Sequence, residues 1–575
     1  MPSSVCFLFL IIRRENTEPT HSHKSYRRTG ADAAINLRFY QLNFYAQNER
    51  RVRPNLSLSY GLRYDYNTPA REVGRRIEAS FSDPAISLVP GLNRFLEGRD
   101  SIYDPDRTNF APRIGVAYAP NIFGAERLTV LRAGYGMYYD QILGAVVSQS
   151  RNVFPRFLTV NVAGGLGNQA SQTGQPLNLL NPAQIPTLVR PGTLNTLNPS
   201  FTLAQQIGLI NSLASAAGLL PSASGIEFTL PSRRLQMPNA HQYSLGVEQQ
   251  LSKTMTVSLA YVGTLGRHLL RFTTPNLGTS AVSLLQAFNT NASGGDQFVP
   301  QFFGIAVAPG TRLSSSGAFV GGRPEPTVGG LQIFETSGNS HYNALQLSSR
   351  GRFFRGIRYQ ASYTFGKAID DVSDVFELAG APALPQNSLT RAGERAVANF
   401  DVRHRLTYEA IYKLPDFANS EKLFQVILGN LQLATTGQFQ TGQPFTVNTY
   451  IDVNLDGNIT DRLNTTEGLV ITGDRRQPLS LATDRNTLRA PVGTDGQVGR
   501  NTFRAGSTLE LNLALTKTFS LPEQQTFSLR AEIFNFTNRA NFGIPVRVLE
   551  SPGFGQATTT TTPARRVQLA LKYSF

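Results

Sequence analysis

The chain has 575 residues, 41% of them hydrophobic, with a mean hydropathy of −0.19. No stretch approaches the roughly 18 consecutive apolar residues of a helical membrane span, so spans of that kind are excluded. Lys and Arg outnumber Asp and Glu by 54 to 39, but the bases are scattered singly, without RNP, zinc-finger or helix-turn-helix patterns, so nucleic acid is not an expected partner.

In chain order, residues 1–33 stand apart. The apolar run from Val5 to Ile12 is followed, not preceded, by Arg13 and Arg14, the wrong charge order for a signal peptide. His21 and His23 form an H-x-H that reads as part of a polar tail. Cys6 is the single cysteine, which removes any intramolecular disulfide or Cys-based zinc site. The segment is expected to be disordered or to come from a mis-assigned start.

A period of two begins at Leu37. Tyr40, Leu42, Phe44 and Ala46 share one face. After a turn at Pro54, Leu56, Leu58, Tyr60, Leu62, Tyr64 and Tyr66 alternate with Ser57, Ser59, Gly61, Arg63 and Asp65. This hairpin, dry on one side and wet on the other, recurs along the chain. Its repeats pair Ile114–Tyr118 with Thr129–Tyr139, Tyr243–Val247 with Val257–Tyr261, and Leu345–Leu347 with Ile357–Phe365. Further on, Leu406–Leu414 precedes Leu431–Phe439, and Leu509–Leu515 precedes Phe527–Ile533. The last strand has Val567, Leu569, Leu571, Tyr573 and Phe575 on one parity and Gln568, Ala570, Lys572 and Ser574 on the other. The total is about 13 strands.

Connections alternate between short turns and long loops, the latter near 67–110, 140–240, 266–340, 368–399, 441–505 and 539–563. A helix is expected at 207–220 within the second of these. Such asymmetry predicts an all-β, antiparallel, up-and-down transmembrane β-barrel with short periplasmic turns and long extracellular loops. Charges fit the pattern: Arg63, Arg113, Arg132, Arg358, Arg403, Arg405, Glu409, Glu510, Arg530, Glu532 and Lys572 all lie on the polar, lumen-facing parity. A charge facing lipid at mid-depth costs about 2–4 kcal/mol. His404, Lys367 and Lys517 have the outward parity, each near a strand end where the side chain can snorkel. With Trp absent, Tyr and Phe are left to build the interfacial girdles.

Several stretches resemble the C-terminal barrel of TonB-dependent outer-membrane receptors, in the Oar-like branch often described with a carboxypeptidase-regulatory-like domain. They are F-Y-A-Q-N-E-R-R-V-R-P-N-L-S-L-S-Y-G-L-R-Y-D (44–65), A-P-R-I-G-V-A-Y (111–118), A-S-Y-T-F-G-K-A-I-D-D (361–371), R-A-E-I-F-N-F-T-N-R-A-N-F-G (530–543) and R-V-Q-L-A-L-K-Y-S-F (566–575). The resemblance implies a partial barrel over residues 34–575, about 13 of the roughly 22 strands of a complete receptor. Its implied location is the outer membrane of a Gram-negative-type bacterium, and its implied activity is energy-coupled uptake of a scarce solute. Implied partners are outer-membrane lipid and lipopolysaccharide, the barrel assembly machinery, the TonB complex through a plug not visible here, and a small solute, oligosaccharide or peptide. The row Val567, Leu569, Leu571, Tyr573 and Phe575 resembles the family's membrane-insertion signal. Two alternatives are a surface-display or adhesion barrel and, further off, a soluble secreted β protein.

No G-x-S-x-G, H-E-x-x-H, P-loop or C-x-x-C is present, so no enzyme activity and no organic cofactor are expected. Arg530 and Glu532 read as a salt-bridge ladder filling the interior. One constellation could hold calcium: Asp452, Asn454, Asp456, Asn458 and Asp461 set oxygens at alternating positions around Gly457. Leu463 stands where an EF-hand has its bidentate Glu, and a metal-free Asx-rich turn is the competing reading.

Overall fold

The computed structural model describes residues 9–16, 35–84, most of 95–148, 228–275, 331–353, 356–375 and, with short gaps, 383–575. His21, His23 and the helix expected at 207–220 lie outside these residues. The backbone of the described part is one large sheet, antiparallel except where the short strand Phe228–Pro231 runs parallel to Leu331–Phe334. Its strands are β1 (Phe9–Asn16), β2 (Leu37–Arg53), β3 (Leu56–Asn67), β4 (Phe110–Tyr118), β5 (Thr129–Tyr139), β6 (Asn239–Ser252) and β7 (Met255–Thr273). They continue with β8 (Leu331–Phe353), β9 (Ile357–Asp370), β10 (His404–Lys413), β11 (Leu431–Gln440), β12 (Thr508–Ser520), β13 (Thr526–Phe534) and β14 (Arg566–Ser574). Each pairs antiparallel with the next in the chain, as an up-and-down sheet requires.

From Leu37 onward the long strands are those the alternation marks. Within the first 33 residues, Phe9–Asn16 is a strand, its backbone paired with Asn16 opposite Arg38 and Phe9 opposite Tyr45. The edge of β2 is therefore covered there.

Register keeps the two faces separate across many strands. Leu347, Tyr363, Leu406, Phe439 and Leu509 are successive partners from β8 to β12, and one step away Gln346, Thr364, Arg405, Gln440 and Thr508 form a polar row. Because side chains alternate, a slip by one residue would turn the polar row toward lipid, so the register is fixed by the membrane. On the apolar face Leu245, Leu259, Leu345, Tyr363 and Leu406 are exposed, as suits contact with hydrocarbon.

β7 and β8 run further than the apolar alternation suggests. The loop expected at 266–340 begins only after Thr273 and ends before Leu331. At about 3.3 Å per residue, the 23 residues of β8 span far more than the roughly 25 Å apolar band. The extra length stands beyond the bilayer, where nothing demands an apolar outer face, and so it leaves no periodic trace.

Among the described residues, the two largest hydrophobic cores lie at the loop end. The first gathers Leu37, Ala70, Ile77, Phe81, Ile102, Leu230 and Leu331 with their neighbours. The second gathers Phe445, Val447, Leu463, Leu479, Leu488, Phe503 and Leu549. Loops that hang in water must bury apolar side chains against one another, since no lipid covers them.

Candidate functional site

The folded loop end is the candidate site. In its first half, α1 (Arg76–Phe81) lies after the β2–β3 hairpin and buries Ile77 and Phe81. It is entered through Arg75 with φ 55°, and the Glu72 carboxylate receives the Arg76 main-chain N–H at 3.0 Å and its guanidinium at 3.1 Å. Burial by itself would raise the Glu72 carboxyl, but these hydrogen bonds and the Arg76 charge outweigh it and hold the group below its ordinary value. Glu78 behaves oppositely. Burial raises its carboxyl although Oε1 accepts the Glu72 N–H at 3.1 Å. Tyr103, pushed up to about 12 by burial, stays neutral and accepts the Ala70 N–H at 3.1 Å.

The second half is fastened to the strand ends by arginines, most of them buried. Arg500 donates to the Asp370 carboxylate at the end of β9, to the Glu394 carbonyl at 3.0 Å and to Ser373 Oγ at 3.0 Å. Arg462 pairs with Glu394 Oε1 at 3.0 Å, and the four charged side chains of this network are at most 7% exposed. Arg504 meets Asp401 at 2.5 Å, Arg489 meets Glu550 at 2.7 Å, and Arg271 of β7 meets Asp371 at 2.7 Å. Each pair joins residues far apart in sequence, so loops 371–403 and 441–507 form one body locked onto the rim. Main chains also approach closely: a β-carbon at Gly555, whose φ is +79°, would overlap the Leu479 carbonyl oxygen.

Of the calcium constellation, Asp452 and Asp456 lie outside the described residues. Asp461 is buried and accepts the main-chain N–H groups of Val453 and Asn454 at 3.2 Å each. Asn454 Nδ2 donates to Gln386 O at 2.9 Å and Asp495 Oδ1 at 2.8 Å, while the Asn458 amide exchanges hydrogen bonds with the Thr274 hydroxyl. These three residues tie their loop to 274, 386 and 495.

At the other end of the molecule, Val567, Leu569, Leu571, Tyr573 and Phe575 form one exposed row on β14, from 49% to 97% exposed. The Tyr573 and Phe575 rings stack at 5.7 Å, and Tyr573 donates to Gln525 Oε1 at 2.7 Å. On the opposite face Arg530 reaches Glu532 at 2.6 Å, and Lys572 stands across from Ser528. Two of the three outward-parity charges have local partners. His404 Nδ1 is 2.7 Å from the Tyr363 hydroxyl, and Lys517 donates to the Gly429 carbonyl.

The ion-paired arginines 271, 462, 489, 500 and 504 were not legible beforehand. The carboxylate each one meets lies far away in the sequence, up to 130 residues for Arg500. No local spacing announces such a pair.

Compared with known proteins, residues 19–568 match the family model described as outer membrane beta barrel domain. No curated protein matches the sequence. Among solved structures the chain is similar to the outer membrane transporter YddB from Escherichia coli, with 11% identity and a TM-score of 0.43 over 93% of this chain and 45% of that one. It is also similar to the ferripyoverdine receptor of the outer membrane of Pseudomonas aeruginosa (9%, 0.39, 93% and 39%) and to the ferric citrate transporter FecA (9%, 0.37, 94% and 46%). The chain spans less than half the length of each of these structures.

Proposed function

The chain belongs to the outer membrane beta barrel domain family, and from that premise we propose that it is the barrel of an energy-coupled outer-membrane transporter that takes up a scarce solute. In this reading residues 34–575 supply barrel wall and loops, and coupling to TonB runs through a plug inside the lumen. The observation that carries the reading is the loop end. Its loops are folded and cross-linked by buried ion pairs to strand ends, above rows of polar side chains that line the inner face. A rigid mouth over a polar passage suits selective capture before transit, because a site whose side chains are locked loses less entropy on binding.

The experiment compares a strain carrying the intact gene with one lacking it, in medium conditioned by its natural community, with and without a protonophore. At least one dissolved solute is expected to be depleted only by the intact strain, and depletion should stop with the protonophore. If every solute is taken up equally while attachment of the deleted strain to surfaces or cells falls, the chain is an adhesion barrel instead.

A further inference from the structure

Where β5, β6 and β7 reach the loop end, a patch of the outward face is roofed by loop. Met137, Asn239 and Arg267 share the parity of the exposed Leu131, Leu245 and Tyr261 on their strands. Residues 104–109 and 233–238 fold over them. The Asp104 N–H donates to the Arg233 carbonyl at 2.8 Å, the Asp140 N–H to the Pro238 carbonyl at 2.8 Å, and the Met237 N–H to Asp106 Oδ2 at 3.0 Å. Roof and strands together line a cavity of about 140 Å³. An apolar cavity of about 150 Å³ holds benzene, so this space suits a solute of about five to eight heavy atoms.

The lining carries an acid and a base that do not pair. Asp106 Oδ1 accepts the Thr108 N–H at 3.1 Å and its hydroxyl at 2.8 Å, and among the described residues no cation meets the carboxylate. Arg267 donates to the Gly266 carbonyl at 2.9 Å and to His341 Nε2 at 3.4 Å, and no carboxylate among the described residues meets it. Asp106 belongs to the roof, whereas Arg267 stands on β7 opposite Asn239, so the two charges are held on different walls.

Two buried carbonyl oxygens add to this. Asn109, 1% exposed, gives its Nδ2 to the Met237 sulfur at 3.1 Å, and Asn239, 5% exposed, has its Nδ2 3.1 Å from His268 Nδ1. The Oδ1 of each is buried without a partner among the described residues. A buried acceptor left unpaired costs stability, and both asparagines line the cavity, which is where a donor can reach them.

We propose that this cavity binds a short-chain α-amino acid as its zwitterion, with the carboxylate on Arg267 and the ammonium on Asp106, Asn109 and Asn239. An ammonium has three N–H donors, and three side chains of the lining accept them. The guanidinium takes a carboxylate in two parallel hydrogen bonds. Met137 and Met237 supply apolar wall, and their pliable thioethers fit ligand side chains of different shape. A plain acid leaves Asp106 unmatched and a plain amine leaves Arg267 unmatched, so both are rejected. The site stands on the outer side of the sheet, and the inference is independent of whether the lumen transports.

The test uses the full chain in its own outer membrane, extracted in mild detergent, with binding of radiolabelled L-alanine measured by equilibrium dialysis. One saturable site per protein is expected. Propionate, which lacks the ammonium, and ethylamine, which lacks the carboxylate, should each compete about tenfold more weakly, and L-tryptophan, too large for the cavity, not at all. Arg267→Gln should weaken alanine about tenfold and leave ethylamine unchanged, whereas Asp106→Asn should weaken alanine as much and leave propionate unchanged. Loss of fold would remove all ligands alike. Arg267→Lys keeps the charge and should retain alanine, which separates recognition from folding. An absence of saturable binding, with water alone in the cavity, overturns the proposal. So does equal binding of alanine and its two fragments, or alanine binding that Arg267→Gln leaves intact.

Discussion

The wall and the loop end are built from similar residues but answer to different solvents. In the wall, leucines and tyrosines stand exposed: Leu569 is 78% and Leu245 62% exposed, and each strand is held by its ladder of main-chain hydrogen bonds. At the loop end the same residue types vanish inside, with Leu463, Leu488 and Leu549 at 0%. Lipid spares the wall the need for a core. Water forces the loops to make one, and also to neutralise the charges that their long connections carry inward. Charge placement therefore differs in kind. The wall keeps charges off the middle of its outer face, whereas the loop end buries them in pairs.

The sharpest test of this contrast is accessibility. Ile471, 76% exposed on the short hairpin at 469–481, should react fully as Ile471→Cys with an impermeant thiol reagent on intact cells. Phe123→Cys, 58% exposed in the turn between β4 and β5, should react only after the membrane is opened. Both are made in a Cys6→Ser background. The reverse pattern would invert the orientation.

Next in size is the buried network. Arg500→Ala leaves Asp370 without its cation and Glu394 with Arg462 alone, and should destabilise the loop body by about 3–5 kcal/mol. Proteolysis of loops 371–403 and 441–507 should become rapid while the wall resists. In the wall itself, Leu245→Arg should cost about 2–4 kcal/mol, read as a lowered denaturant midpoint in detergent or bilayers, with loop proteolysis unchanged. If the loops loosen as well, wall and loop end are one cooperative unit.

A smaller effect concerns the loop at 452–461. Asp461→Ala removes the acceptor of two main-chain N–H groups and should open that loop to protease with or without calcium. We propose that calcium adds protection in the intact protein and that Asp456→Ala abolishes this increment; protection that is indifferent to chelator leaves hydrogen bonding alone in charge.

The smallest shift comes from Glu78, whose carboxyl is raised in the folded state. Its ionisation therefore opposes folding at neutral pH, and the opposition fades as the pH falls through the raised folded value toward its ordinary 4.5. Glu78→Gln should slightly stabilise the first loop core at pH 7 and make no difference near pH 4. Glu72, held low, acts the other way. Its contribution is complete above 4.5 and is lost as the pH falls through its lower folded value.

What the sequence determined by itself is the wall. Leu37 to Asn67 and Val567 to Phe575 could be read because lipid acts on each strand separately and imposes a period of two that any ten residues display. The first turn followed from Pro54, and the lumen-facing parity of Arg530, Glu532 and Lys572 from the same alternation. Only the tertiary structure decided the loop end. Leu463 looks like any loop leucine until Phe445, Leu479 and Leu549 surround it, and Arg500 like any loop arginine until Asp370 arrives from a strand end. A solvent that contacts every residue writes its demand locally, whereas a contact made across a hundred residues leaves nothing nearby to read.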